Sequence, residues 1–194
     1  MSQVKKEEVR TAILASAFEL FTARGYSATT VPMIARGAGI SPPNVYSYFV
    51  SKLEILYAIH DPWMRARFAA LGKDLRSRRS QPRRLRRILE VLWRELPAFE
   101  EGFANNVVQA ISTATPEDGY RTGLIGWMEQ EIERMLLDAL PEERHPLVRG
   151  TDVAHMVVMA MDGYIMYRHT MPDRACSDAT IDAFCSMLSG MPPG

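Results

Sequence analysis

A chain of 194 residues, 47% of them hydrophobic, can bury a sizeable core as one domain or as a small domain joined to a medium one, which excludes an intrinsically disordered chain. Its 23 basic and 23 acidic residues cancel, but unevenly: residues 1–60 carry six Lys/Arg against four Asp/Glu, 61–100 eleven against five, and 101–194 six against fourteen. Only the front half is therefore suited to meet a polyanion.

The charged start, MSQVKKEEVR, has no apolar stretch behind it and does not read as a secretory leader. No apolar run approaches the ~18–20 residues of a membrane span, so no membrane partner and a cytoplasmic location are expected. Val9, Ile13, Leu14, Ala17, Phe18, Leu20 and Phe21 recur at helical spacing and predict a first helix that Gly25 ends. Thr30 can cap a second helix, Val31 to Ala38, with Pro32 in its first turn. After the Gly39-Ile40 turn a third short helix runs from Pro42 to about Phe49. Ser51 caps a longer one from Lys52, interrupted or kinked at Pro62. Further helices are expected near 63–77, 83–98, 102–114, 120–139, 150–170 and 177–189, with breaks at 80–82, 115–119, 140–146 and 171–173. No strand pattern is present, and the fold class is all-α. Cys176 and Cys185, nine residues apart on one helix, are separated by ~13 Å of rise, too far for a disulfide.

The stretch GISPPNVYSYFVSK sets two prolines where a helix should be. The first backbone amides of a helix have no intrahelical partner, so Pro42 and Pro43 cost nothing if Ser41 is the cap, with its Oγ accepting from the Asn44 amide. At 100° per residue Val45 and Phe49 point into a core, while Pro43 and Ser47 point outward, flanked by Asn44 and Tyr46, with Tyr48 nearer the core edge. The outward face is short, polar and aromatic, and carries no charge. Such a face fits a DNA major groove: Asn can pair with an adenine edge, proline can pack on a thymine methyl, and hydroxyls reach phosphates or bases. Lys52, Thr30 and the amides opening the second helix would add phosphate contacts, and Lys5 and Lys6 a basic arm. The same three helices, from spacing alone, also suit a small core in which the tyrosines simply pack.

Ile13 to Leu56, "ILASAFELFTARGYSATTVPMIARGAGISPPNVYSYFVSKLEIL", closely resembles the N-terminal domain of the tetracycline-repressor (TetR) family of transcriptional regulators, through LF-x3-GY-x2-TT, IA-x2-AG-[IV]-S, x-x-[NT]-[LV]-Y-x-[YH]-F and the trailing SK. The resemblance implies an N-terminal three-helix helix-turn-helix DNA-binding domain, placed at residues 1–51, and a helical ligand-binding and dimerisation domain at 52–194. It implies a homodimer through the last two helices and a repressor released from a double-stranded DNA operator by a small molecule, with a ligand-independent helix-turn-helix DNA-binding protein as the alternative; no cofactor is expected. By motif position it places DNA contacts at Thr30, Pro42, Pro43, Asn44, Tyr46, Ser47, Tyr48 and Lys52. Position 42 is often charged or polar in the family, 43 often glycine, and 47 commonly aromatic or histidine, so the prolines imply a different operator preference and Ser47 the loss of one phosphate contact.

The resemblance fades after about residue 60, and the body is read from its residues. Trp63, Phe68, Trp93, Phe103, Trp127, Met159 and Tyr164 form aromatic and methionine stripes. At helical spacing these serve as core, or as a cavity for a hydrophobic or aromatic effector, with Asn106 and Gln109 supplying orienting hydrogen bonds. Helix 150–170 is apolar round most of its circumference, and Val157, Met161 and Ile165, with Phe184 and Leu188, are expected at a dimer seam. Arg76 to Arg87 is read as a solvated loop, with nucleic-acid contact as the alternative. No HExxH, CxxC, GxSxG or phosphate loop is present, and His60, His145, His155 and His169 have no metal-ligand spacing, so neither a catalytic nor a metal site is expected. His155 with Asp152 or Asp162 reads as a core or pocket group.

Overall fold

Gly25 carries φ +78° and ψ 164°, a conformation only glycine adopts readily, and it breaks the first helix where the sequence places the stop. The computed structural model describes residues 3–99, 103–115, 123–171 and 175–191, and every regular element among them is helical. In chain order these are α1 Gln3–Ala28, α2 Val31–Gly37, α3 Pro42–Val45, α4 Lys52–Ser77 and α5 Gln81–Glu90, followed by a π-helical turn Val91–Glu95 and α6 Leu96–Phe99. Then come α7 Phe103–Thr113, α8 Gly123–Ala139, a 3₁₀ segment Glu142–Leu147, α9 Val153–Thr170 and α10 Asp178–Ser189.

Two compact units result: Met1–Met64 with Glu101–Arg121, and Arg65–Glu100 with Thr122–Gly194. The front unit thus takes in the first half of α4 and α7 beyond the 1–51 segment. Its core joins Ile13, Ala17 and Phe21 of α1 to Ile34 and Ala35 of α2, Val45 and Phe49, Leu53 and Leu56 of α4, and Ala110 of α7, all buried. Ser16 Oγ donates to the Ile34 carbonyl at 3.0 Å. A Cβ on Gly37 would lie 2.2 Å from that oxygen, so only glycine admits this approach of α1 to α2.

In the second unit Leu75, Leu85, Ile88, Leu92, Ile132, Val158 and Ile181 are among the buried side chains. Trp93 is buried, and its indole donates to the Val157 carbonyl at 3.0 Å. The wide turn at Val91–Glu95, where the Leu96 amide reaches back to the Val91 carbonyl, immediately precedes Pro97. A proline lacks a donor and crowds the carbonyl four residues back, and an extra residue in the turn relieves that crowding.

Several expectations change. Helix α4 runs through Pro62, which sits on the exposed side, while Met64 and Phe68 keep the packed face continuous. Residues 142–147 form a 3₁₀ segment instead of a plain break. The arginine-rich stretch is no solvated loop: it enters α5 at Gln81, and Arg86 pairs with Glu90 (2.8 Å), Asp178 (2.8 Å) and Asp182. Arg87 pairs with Asp74 (2.6 Å) and Glu95, and Arg78 with Asp74 (3.0 Å), whose carboxyl these hydrogen bonds hold below its usual range. Val157, Met161 and Ile165 are buried inside their own unit, so they are core and not a seam. The exposed apolar residues of α9 are Met156, Met159, Met166 and Tyr167, and those of α10 are Phe184 and Met187. Cys176 is buried and Cys185 half-buried, both free, and burial pushes the Cys185 thiol up to about 11.

Candidate nucleic-acid interface

The double proline does mark a helix start. Ser41 is extended (φ −78°, ψ 149°), Pro42 and Pro43 fill the first two helical positions, and neither removes a bond the helix would have made. The capping hydrogen bond differs from expectation, because the Asn44 amide takes the Ser41 backbone carbonyl at 3.0 Å and not its hydroxyl. Thr30 likewise occupies the cap of α2 without a side-chain bond: its carbonyl accepts from Met33 and Ile34 at 3.0 and 3.1 Å. In both places a backbone oxygen already satisfies the orphan donor, which leaves the hydroxyl facing outward.

Helix α3 is shorter than predicted, ending at Val45 instead of about Phe49. The chain continues in tight turns, Ser47 N to Asn44 O at 3.2 Å and Tyr48 N to Val45 O at 2.9 Å. Burial nonetheless follows the predicted sides. Val45 and Phe49 are 1% and 3% exposed, whereas Pro42, Pro43, Asn44 and Ser47 are exposed, Tyr46 is 57% exposed and Tyr48 half-buried. The Ser51 cap is made as expected, Glu54 N to Ser51 Oγ at 3.1 Å, and the Glu54 carboxylate returns to the Val50 amide at 2.6 Å. This reciprocal pair fixes the exit from α3 into α4.

Lys52, expected at the phosphate backbone, is half-buried and turned toward the protein. Its ammonium donates to the carbonyls of Tyr26 (2.8 Å) and Thr29 (2.9 Å) and lies 4.0 Å from the Tyr26 ring centroid. It holds the turn in which Thr30 sits, and so positions the opening of α2. Lys5 and Lys6 lie in the first turns of α1, exposed, so they form no extended arm. Arg36, exposed in the last turn of α2, is a cation absent from the contacts expected on sequence. A charge inventory of both helices of the motif would find it.

The residues expected around a ligand divide between the two units. Asn106 is buried and donates to the Phe21 carbonyl at 3.1 Å, and Gln109 Oε1 accepts from the Ser27 amide and hydroxyl at 3.5 and 3.3 Å. Both fasten α7 to α1 within the front unit. Trp63 also lies there, 5.9 Å from His60 between ring centroids. His60 is buried, and desolvation lowers its pKa to about 4, against a smaller opposing pull from Asp61. In the second unit Phe68 pairs with Trp127 (5.2 Å) and Trp93 with Tyr164 (6.3 Å). Met159 is exposed, and the Phe103 side chain lies outside the described residues. Ala160, Gly163, Tyr164 and Tyr167 of α9 line a cavity of about 370 Å³. His155 is exposed and pairs with Glu129 at 2.7 Å, so it is no core group, while burial raises the Asp162 carboxyl to about 6 despite the nearby His155.

Residues 13–59 match the sequence model of a family described as "Bacterial regulatory proteins, tetR family". Over those residues the chain is similar to the tetR family. It is 29% identical over 102 residues to the HTH-type transcriptional activator FasR of Mycolicibacterium smegmatis, a match that covers 53% of this chain and 47% of that one. The chain thus spans about half the length of that curated relative. The TetR-family regulator PfmR of Thermus thermophilus is 28% identical with a TM-score of 0.56, covering 92% of this chain and 97% of that one. Bacillus subtilis FadR, solved with stearoyl-CoA, is 16% identical with a TM-score of 0.61 over 92% and 97% of the two chains, a likeness of fold. By their names FasR is a transcriptional activator, and PfmR and FadR are transcriptional regulators. No helix among the described residues is long and apolar enough to cross a membrane.

Proposed function

We propose that this chain is a one-component transcriptional regulator that binds a double-stranded DNA operator as a homodimer and represses until a hydrophobic or aromatic small molecule releases it, acting in the cytoplasm. The observation that carries the reading is the α3 face: Pro42, Pro43, Asn44, Tyr46 and Ser47 stand exposed and uncharged over a buried Val45 and Phe49. A solvated surface turn is usually charged. One stripped of charge and set with a bidentate amide, two rigid rings and hydroxyls suits base edges, with Thr30, Tyr48 and Arg36 toward the phosphates. The exposed methionine and aromatic residues of α9 and α10 support the homodimer, because exposed apolar side chains on two helices call for a cover. The effector is assigned to the second unit, where Tyr164 and Tyr167 face a cavity floored by Ala160 and Gly163.

Selection of binding sites from a pool of random duplexes tests the reading. The expected product is a near-palindrome with half-sites about one helical turn (~34 Å) apart or somewhat wider. Asn44→Ala or Tyr46→Ala should abolish binding to the selected duplex without changing the oligomeric state. Unchanged affinity in both variants refutes the face. A reporter gene behind the selected duplex, silenced by the protein and relieved by an effector, tests repression.

A further inference from the structure

The arginine-rich stretch from Arg76 to Arg87 is the one sequence motif that DNA reading leaves unemployed, and it divides into two sets. Arg78, Arg86 and Arg87 each face carboxylates, as described above. Arg76, Arg79, Arg83 and Arg84 have none within ion-pair reach among the described residues, and Arg84 Nε donates instead to the neutral Arg78 carbonyl at 2.7 Å. With Arg134 of α8, Arg76 and Arg84 line a cleft of about 190 Å³ within the second unit. Its apolar lining comes from the buried Leu75 and Met135. Its carboxylate is Asp138, 3.7 Å from Arg134, which also pairs with Glu131 at 2.6 Å. Among the described residues of the lining, three guanidinium groups and one carboxylate leave two positive charges in surplus.

Converging like charges repel, and a bound anion relieves the repulsion. Guanidinium forks match the geometry of phosphoryl oxygens, and a phosphomonoester carries about −1.5 to −2 at pH 7, which meets the surplus. We propose that this cleft binds the phosphomonoester of a small organic molecule, with Arg76, Arg84 and Arg134 on the phosphoryl oxygens and the organic stem over Leu75 and Met135. The site is separate from the cavity along α9, which has no basic residue among the described residues of its lining.

Calorimetric titration of the full chain with butyl phosphate, at ionic strength fixed with sodium chloride, tests the assignment. Saturable binding is expected, weakened at least tenfold in Arg76→Ala and strengthened severalfold in Asp138→Asn, which removes the opposing carboxylate. Arg79→Ala, exposed and outside the cleft lining, should match the parent. If Arg76→Ala melts early, the gain in Asp138→Asn carries the test. Absence of saturable heat, or equal affinity in all four proteins, overturns the proposal. A lowered salt slope for duplex binding in Arg76→Ala, without butyl phosphate binding in the parent, assigns the cleft to nucleic-acid phosphates and overturns it as well. Duplex binding by the parent, measured alongside, reports separately on the DNA reading.

Discussion

Replacing Lys52 by methionine separates two roles that one residue could fill. The stem survives, and the ammonium with its bonds to the Tyr26 and Thr29 carbonyls at 2.8 and 2.9 Å is lost. Hydrogen bonds from a charged donor contribute about 1.5–3 kcal/mol each. Because Lys52 is half-buried and water can reach freed carbonyls, about half of that is retained here; the contact with the Tyr26 ring adds about 0.5–1 kcal/mol. The expected loss is about 2–4 kcal/mol of unfolding free energy, read from urea titration. Loss of that anchor should also loosen the turn before α2 and weaken duplex binding, with the dependence of affinity on salt unchanged. A lysine on a phosphate behaves oppositely: stability holds, and the slope of log affinity against log salt falls by about 0.9. A variant as stable as the parent with a reduced slope would refute the positioning role.

Three further outcomes are expected. Met187→Glu or Met156→Glu should convert a dimer to a monomer in equilibrium sedimentation, since each puts a charge on an exposed apolar face of α10 or α9; a dimer of parental strength in both variants removes that face from the interface. His60, with a folded pKa of about 4 against 6.5 unfolded, binds fewer protons when folded, so stability is full above pH 6.5 and falls as pH drops toward 4. The loss reaches about 3 kcal/mol, and His60→Leu should flatten that step in urea titrations at pH 4.5 and 7. Asn106→Ala should cost about 2–3 kcal/mol by removing a buried donor from the Phe21 carbonyl, and it should leave effector response intact in an operator-release assay.

The local features are legible in the sequence and the long-range ones are not. Gly25, the paired prolines and the inward Val45 and Phe49 rest on rules that act within one turn of chain, and all appear where expected. Helix α9 defeats the same reading because it is apolar nearly all round: periodicity cannot say which stripe faces inward when no polar face contrasts with it. In sequence, Val157, Met161 and Ile165 therefore look as available for a partner as Met156, Met159 and Met166. Asn106 and Gln109 escape correct assignment because their partners, Phe21 and Ser27, lie more than eighty residues away. The arginine stretch is matched partly by Asp178 and Asp182, equally remote in sequence.

Helix α10 has Ile181 as its fully buried side chain, and arginines grip it at both ends. Arg86 and Arg94 hold Asp178, Arg86 also holds Asp182, and Arg144 donates to the closing carbonyls of Met187 and Leu188 at 2.7 and 2.8 Å. Apolar joints ordinarily tighten in brine. The joint proposed for α10 is mounted on a plank whose fastenings brine dissolves, so concentrated electrolyte should pry the pair of subunits apart where oily contacts alone would press them together.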